Sequence, residues 1–132
     1  MIVGIGIDSV ETSRIERAIQ KYGKRFIDRI YSPLEQRRCE HSRTVYQGYA
    51  SHFAAKEAVM KALETGARHL REGGLSFRDI EVYYEASGAP RIRLYRKAKA
   101  VSEEKGIDRL HISITTLDRL CGAYVIAERI QL

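Results

Sequence analysis

The segment IVGIGID at residues 2–8 constrains the fold of this chain more than any other. Val3, Ile5 and Ile7 alternate with Gly4, Gly6 and Asp8, and a period of two marks a β-strand. The reading is a strand with one apolar face. Its other face carries no side chain until Asp8. Glycine weakens a strand and is tolerated where something comes too close for a Cβ, so a second backbone or a ligand is expected against Gly4 and Gly6. A dinucleotide fingerprint, GxGxxG, is excluded: it would need a glycine at Ser9 and a turn in place of the strand.

A second segment, HFAAKEAVMKAL at 52–63, reads as a helix on which Phe53, Glu57 and Lys61 fall on one line at i, i+4 spacing. Ala55, Ala58, Val59, Ala62 and Leu63 make an apolar stripe beside that line. The helix can be anchored on one side while offering a carboxylate and an ammonium group on another. Taken alone, an exposed Glu57–Lys61 pair would add only about 0.3 kcal/mol of stability. Asp8, at the end of the glycine strand, is a further carboxylate that could join the two.

The remaining chain supplies further helices and then mostly hairpin-linked strands with one helix between them. Thr12 or Ser13 is expected to cap a helix reaching Tyr22, with Gly23 as its stop. Arg14, Arg17 and Lys21 follow a basic path along it. Ser32-Pro33-Leu34-Glu35 is a capping box with proline at the first helical position, opening a short helix to about Cys39. The central helix is expected to start between Tyr46 and Ala50 and to end at Thr65 before Gly66, followed by a loop at 67–75. Alternation at 80–84 and 92–94 around Ser87-Gly88-Ala89-Pro90 predicts a hairpin. A helix over 96–105 and two strands, 110–114 and 121–127, complete the order. Strands joined mainly by hairpins favour an α+β fold with a largely antiparallel sheet.

All 132 residues read as one domain, with no Pro/Gly/Ser-rich linker to divide them. No apolar run approaches the roughly eighteen residues of a membrane span. The amino terminus lacks the basic segment of a signal peptide, so a cytoplasmic location is the default expectation. Cys39 and Cys121 stand apart and outside any Cys/His cluster, which reads as reduced thiols and no zinc. A net charge of +6 favours an acidic or phosphorylated partner. Nucleic acid is disfavoured, because the basic residues are dispersed and no zinc-finger, RRM or KH signature occurs.

In their order and separation, GIGIDSVETSRIERAI, HFAAKEAVMKAL, SFRDIEVYYEASGAPRIRL and LHISITTLDRLCGAYVIAE resemble the holo-acyl-carrier-protein synthase family of 4′-phosphopantetheinyl transferases. The resemblance covers nearly the whole chain. It implies an antiparallel sheet packed on a long central helix, and an enzyme that moves the phosphopantetheine arm of coenzyme A onto a serine of an acyl carrier protein, releasing adenosine 3′,5′-bisphosphate. It further implies a homotrimer with active sites at subunit interfaces. Asp8 and Glu57 fall on the family's magnesium-holding carboxylates, and Lys61 on the lysine that meets the phosphates. Asp8, Glu57 and Lys61 are then the catalytic set, with Glu57 the candidate acceptor of the serine proton. Coenzyme contacts are implied for Lys61, Thr65, Gly66, Gly88, Pro90, Ser113 and Thr116. Arg14 falls on an arginine that grips the acidic carrier helix, and Arg17 and Lys21 extend its path.

Three positions depart from the family's pattern. His52 stands where arginine is usual, Glu64 where the first glycine of Gly-Thr-Gly is usual, and Thr116 where histidine is usual. Each lowers the positive charge or removes a ring near the expected coenzyme, so weaker coenzyme binding is the expectation, with Arg68 and Arg71 as candidate replacements. A member that docks an acidic partner without turnover is the alternative. The sequence does not choose among carriers for fatty-acid, polyketide or peptide synthesis.

Overall fold

In the computed structural model, which describes residues 1–63 and 74–130, β1 (Ile2–Glu11) pairs antiparallel along its length with β5 (Leu120–Glu128). β5 in turn pairs with β4 (Arg109–Thr116), giving the order β1-β5-β4. β2 (Ile80–Tyr84) and β3 (Pro90–Leu94) form a separate two-stranded hairpin. The antiparallel α+β expectation holds, with the strands divided between two sheets. No helix among the described residues is long and apolar enough to cross a membrane.

The first sheet packs on the central helix, α4 (Val45–Ala62), with its glycine face inward. A Cβ on Gly4 would lie 1.8 Å from the carbonyl oxygen of Ala62, and one on Gly6 the same distance from that of Ala58. Only glycine lets strand and helix backbones approach this closely. The expected apolar face is the outer one: Ile5 and Ile7 are 54% and 61% exposed, beside Tyr124 of β5. The backbone expected against Gly4 and Gly6 is that of α4, whose alanine-rich face fills the space that side chains there would have taken.

α4 is also more enclosed than its stripe suggested. His52, Phe53, Ala54, Ala55, Lys56, Ala58, Val59 and Met60 are all buried, so Phe53 is a core residue stacked on Phe77 at 5.1 Å and does not share an open face with Glu57. The helix begins one residue before the expected window and its last described turn closes at Leu63. Gly66 and the 67–73 part of the expected loop lie outside the described residues.

α1 (Thr12–Tyr22) follows β1 directly. Neither Thr12 nor Ser13 caps it: Glu11 is the N-cap without a side-chain bond, and the Thr12 amide is met by the carbonyl of Arg119 in the β4–β5 turn. Gly23, at φ +60, ends α1 as expected and the chain resumes as α2 (Lys24–Ile30), a helix the pattern did not announce. α3 (Pro33–Glu40) has its capping box in full, Glu35 N donating to Ser32 Oγ and Ser32 N to Glu35 Oε1. A short 3₁₀ turn (Phe77–Asp79) precedes β2, and α5 (Arg96–Glu104) links β3 to β4.

Candidate active site

Asp8 lies on the inner face of β1 two residues beyond Gly6, so the close packing of glycine on α4 carries its carboxylate to the helix at Glu57 and Lys61. Lys61 Nζ donates to Asp8 Oδ1 at 3.1 Å and to the carbonyl of Ile7 at 2.9 Å. The i, i+4 spacing of Glu57 and Lys61 thus ends in a bond from Lys61 to the strand. Asp8 Oδ2 is buried and has no hydrogen-bond partner among the described residues.

Glu57 is pushed up to about 7, first by burial and then by the Asp8 carboxylate beside it, while Arg14 and Lys61 pull it back. Two carboxylates share a half-buried site, and one of their oxygens is left unpaired. Such an arrangement costs free energy unless a proton on Glu57 or a bound cation completes it. No group of three or more His, Cys, Asp or Glu side chains gathers anywhere among the described residues. Magnesium takes one or two carboxylates with substrate phosphate and water, a donor set that Asp8 and Glu57 could supply.

A cavity of about 420 Å³ opens beside Asp8 and Lys61, walled by Ser113 and Thr115 of β4 and by Tyr124 of β5. Of the sequence-expected residues, the structure brings Asp8, Glu57, Lys61 and Ser113 together. Tyr124 was not anticipated, although its place out of phase with Cys121, Ala123, Val125 and Ala127 marks the outward face. Arg14, Arg17 and Lys21 are exposed on α1, with Arg14 near enough to act on Glu57.

Other expected contacts sit elsewhere. Gly88, at φ +90, lies in the β2–β3 turn and Pro90 opens β3; neither walls the Asp8 cavity. Thr116 faces Ser51, oxygen to oxygen at 2.7 Å, in a second pocket of about 160 Å³ that also contains His52. Thr65, Gly66, Glu64, Arg68 and Arg71 lie outside the described residues.

Lys56, the neighbour of Glu57, has a different role. It is wholly buried, pairs with Glu35 at 2.8 Å and donates to the carbonyls of Phe77 and Ile80 at 3.0 and 2.5 Å. Glu35 Oε2 accepts from Val82 N as well, so one ion pair ties α3, α4 and β2 together. With its three donors engaged, Lys56 has none left for a substrate.

Comparison with known proteins identifies the family. Residues 4–126 match the model of the 4′-phosphopantetheinyl transferase superfamily. The holo-[acyl-carrier-protein] synthase of Koribacter versatilis is 42% identical over 128 residues, covering 97% of this chain and 99% of that protein. That of Halothermothrix orenii is 40% identical, with 97% and 98% covered. Among solved structures, the synthase of Neisseria meningitidis superposes with a TM-score of 0.84 at 34% identity, covering 98% of this chain and all of that one. The Helicobacter pylori synthase, solved in complex with coenzyme A, gives 0.79 at 32% identity over 94% and 99%. With the family model matched over residues 4–126 and relatives about 40% identical over their full length, the chain belongs to the holo-[acyl-carrier-protein] synthase family of 4′-phosphopantetheinyl transferases.

Proposed function

We propose that this enzyme transfers the 4′-phosphopantetheine arm of coenzyme A to a serine hydroxyl of an acyl carrier protein, with magnesium, and releases adenosine 3′,5′-bisphosphate. The observation that carries the reading is the convergence of Asp8, Glu57 and Lys61, with Asp8 Oδ2 buried and unpaired. The coenzyme A bound by the Helicobacter pylori relative supports the same substrate here.

Asp8 and Glu57 would hold the magnesium ion, which when bound neutralises diphosphate charge. Lys61, positioned by Asp8 and the Ile7 carbonyl, would counter charge developing on the leaving phosphate. Glu57, pushed up to about 7, is suited to accept the serine proton near neutral pH, because general-base catalysis works best when the pKa matches the medium. The exposed Arg14, Arg17 and Lys21 offer an acidic carrier a docking path that ends beside Glu57.

The oligomer belongs to the same proposal. Ile5, Ile7 and Tyr124 leave an apolar area on the outer face of the first sheet, continuous with the Asp8 cavity. Contiguous exposed apolar surface of this kind marks an interface. A second and third copy of the chain seated there would wall the cavity and give a homotrimer.

The test is incubation with coenzyme A, magnesium and an apo carrier. The carrier should gain about 340 Da, the mass of the arm itself, and the gain should vanish with EDTA. No gain with several carriers would sink the reading, as would full activity in Glu57→Ala.

A further inference from the structure

The turn joining β4 to β5 closes with Leu117 N donating to the carbonyl of Leu120 at 3.0 Å. Asp118 and Arg119 at its tip are exposed, and each is tied to a different helix. Gln47, in the first turn of α4, donates from Nε2 to Asp118 Oδ1 at 2.8 Å and to the carbonyl of Asp118 at 3.2 Å. The carbonyl of Arg119, one residue on, accepts from Thr12 N at 2.9 Å. One side-chain amide on α4 thus grips a turn whose next carbonyl meets the first amide of α1.

The opening turn of a helix leaves amides without helical partners, and a side chain at the N-cap normally meets one of them. Glu11, at the N-cap of α1, makes no side-chain bond, so the β4–β5 turn stands in for the cap. Packing does not fix the distance between them. An open groove of about 490 Å³ lies there, lined by Glu11, Ser13 and Glu16 on one side and Asp118, Arg119 and Leu120 on the other. Behind it, Cys121 Sγ is 3.7 Å from Thr12 Oγ1 and 3.6 Å from the carbonyl of Gln47, contacts that sulfur makes only weakly. Deeper still, Thr116 and Ser51 join the end of β4 to α4, and Ile15 anchors α1 in the core. Those contacts fix the body of each element, and the clasp at Gln47 governs where α1 begins.

Arg14 follows Thr12 by two residues, in the first turn of α1, and is near enough to act on Glu57. We infer that Gln47 and Asp118 are positioning residues: by clasping the β4–β5 turn they fix the start of α1, and with it the place of Arg14 where an acidic carrier docks. The inference rests on the docking path proposed above. Neither residue walls the Asp8 cavity, and both act through the Arg119 carbonyl.

Hydrogen exchange at the Thr12 amide, read beside transfer kinetics with an apo acyl carrier protein, tests this. Gln47→Ala removes both bonds to the turn and should speed exchange at Thr12 about 10-fold by freeing that turn to open locally. It should raise KM for the carrier about 3- to 10-fold, roughly the net contribution of one hydrogen bond. KM for coenzyme A, kcat at saturating carrier and the urea midpoint should stay nearly unchanged, as for other surface substitutions. Asp118→Ala keeps the bond to its own backbone carbonyl and should give a smaller rise, while Asp118→Asn keeps an Oδ1 acceptor and should restore most of the difference. The double variant should be no worse than Gln47→Ala, because both residues act through one contact. Equal rises in both KM values, unchanged exchange at Thr12, or an Asp118→Asn as damaging as Gln47→Ala overturns the inference. If exchange at Thr12 follows the series but no carrier gains mass, the transferase reading fails and the clasp stands; if carriers gain mass with the same KM in every variant, the inference fails and the transferase reading stands.

Discussion

Two ion pairs sit side by side on α4, and they have opposite characters. Lys56 and Glu35 are fully enclosed, and the five bonds around them leave neither charge without partners. Five residues on, Lys61 and Asp8 form a half-open pair in which one carboxylate oxygen is orphaned and a second carboxylate, Glu57, is held near 7. A satisfied buried pair fixes a fold. An unsatisfied one stores repulsion that a bound cation and an anionic substrate would relieve, which is why the chemistry is proposed at the second pair.

The sharpest way to break this contrast is to remove one partner from each pair. Lys56→Met strands the Glu35 carboxylate in the core and should cost about 3–5 kcal/mol, a fall in Tm of roughly 10–20 °C for a chain of this size. A scan showing an unchanged Tm would mean that the pair is not structural. Asp8→Asn should do the reverse. Transfer activity should drop by at least about 100-fold as the phosphate-facing charge is lost, while unfolding free energy moves by no more than about 0.5 kcal/mol, because the Lys61 bond is half exposed and the repulsion with Glu57 is relieved. Parallel losses of stability and activity would erase the distinction.

The pH response of the open pair follows from Glu57. Its folded value of about 7 lies above the usual 4.5, so the folded state holds a proton that the unfolded chain would release. The resulting stability is present in full below about 4.5 and is lost as pH rises through 7. Urea midpoints of the metal-free protein should therefore fall relative to Glu57→Gln over that window. Magnesium, displacing the same proton, should bind more tightly as pH rises towards 8.

How these pairs read in the sequence differs just as sharply. The helix 52–63, the glycine strand and the Ser32–Glu35 box are local patterns, and local patterns survive folding; Asp8, Glu57 and Lys61 could be joined because each sits at a fixed period within its element. Lys56–Glu35 was not legible, since nothing in FAAKEA says that this lysine will be enclosed with Glu35 of the preceding helix. The close approach to the glycine face of β1 was legible, but not which backbone makes it. Which face of a strand is inside depends on what packs there, and against bare glycine the answer is a helix backbone. His52, noted in the sequence only as standing where arginine is usual, is a buried neutral ring beside Tyr84.

The glycine contact connects the two regions mechanically. A Cβ at Gly6 would meet the Ala58 carbonyl at 1.8 Å, backbone against backbone, and no side chain can turn aside to make room. Gly6→Ala should cost about 1–3 kcal/mol or more by overpacking. It should also lower activity beyond what that loss of stability explains, because the displaced strand carries Asp8 away from Glu57. Normal activity in folded Gly6→Ala would show that the strand–helix distance does not set the site.

The smallest effect expected comes from His52, and it tests whether the enclosed region is as closed to charge as the contrast requires. Burial, then Lys56 and Arg38, hold its ring down at about 3 against an ordinary 6.5. The folded state therefore favours the neutral ring, and the stability this gives is complete above about 6.5 and is lost as pH falls towards 3. His52→Gln keeps a polar side chain without the titration, so its urea midpoint should fall less than that of the unmodified protein between pH 7 and 4.5. Arg38→Ala removes one of the cations acting on the ring and should shift the response only slightly, since desolvation is the larger cause. Superimposable pH curves for the unmodified protein and His52→Gln would mean that the ring accepts its proton in place, and that its site beside Tyr84 is open to water.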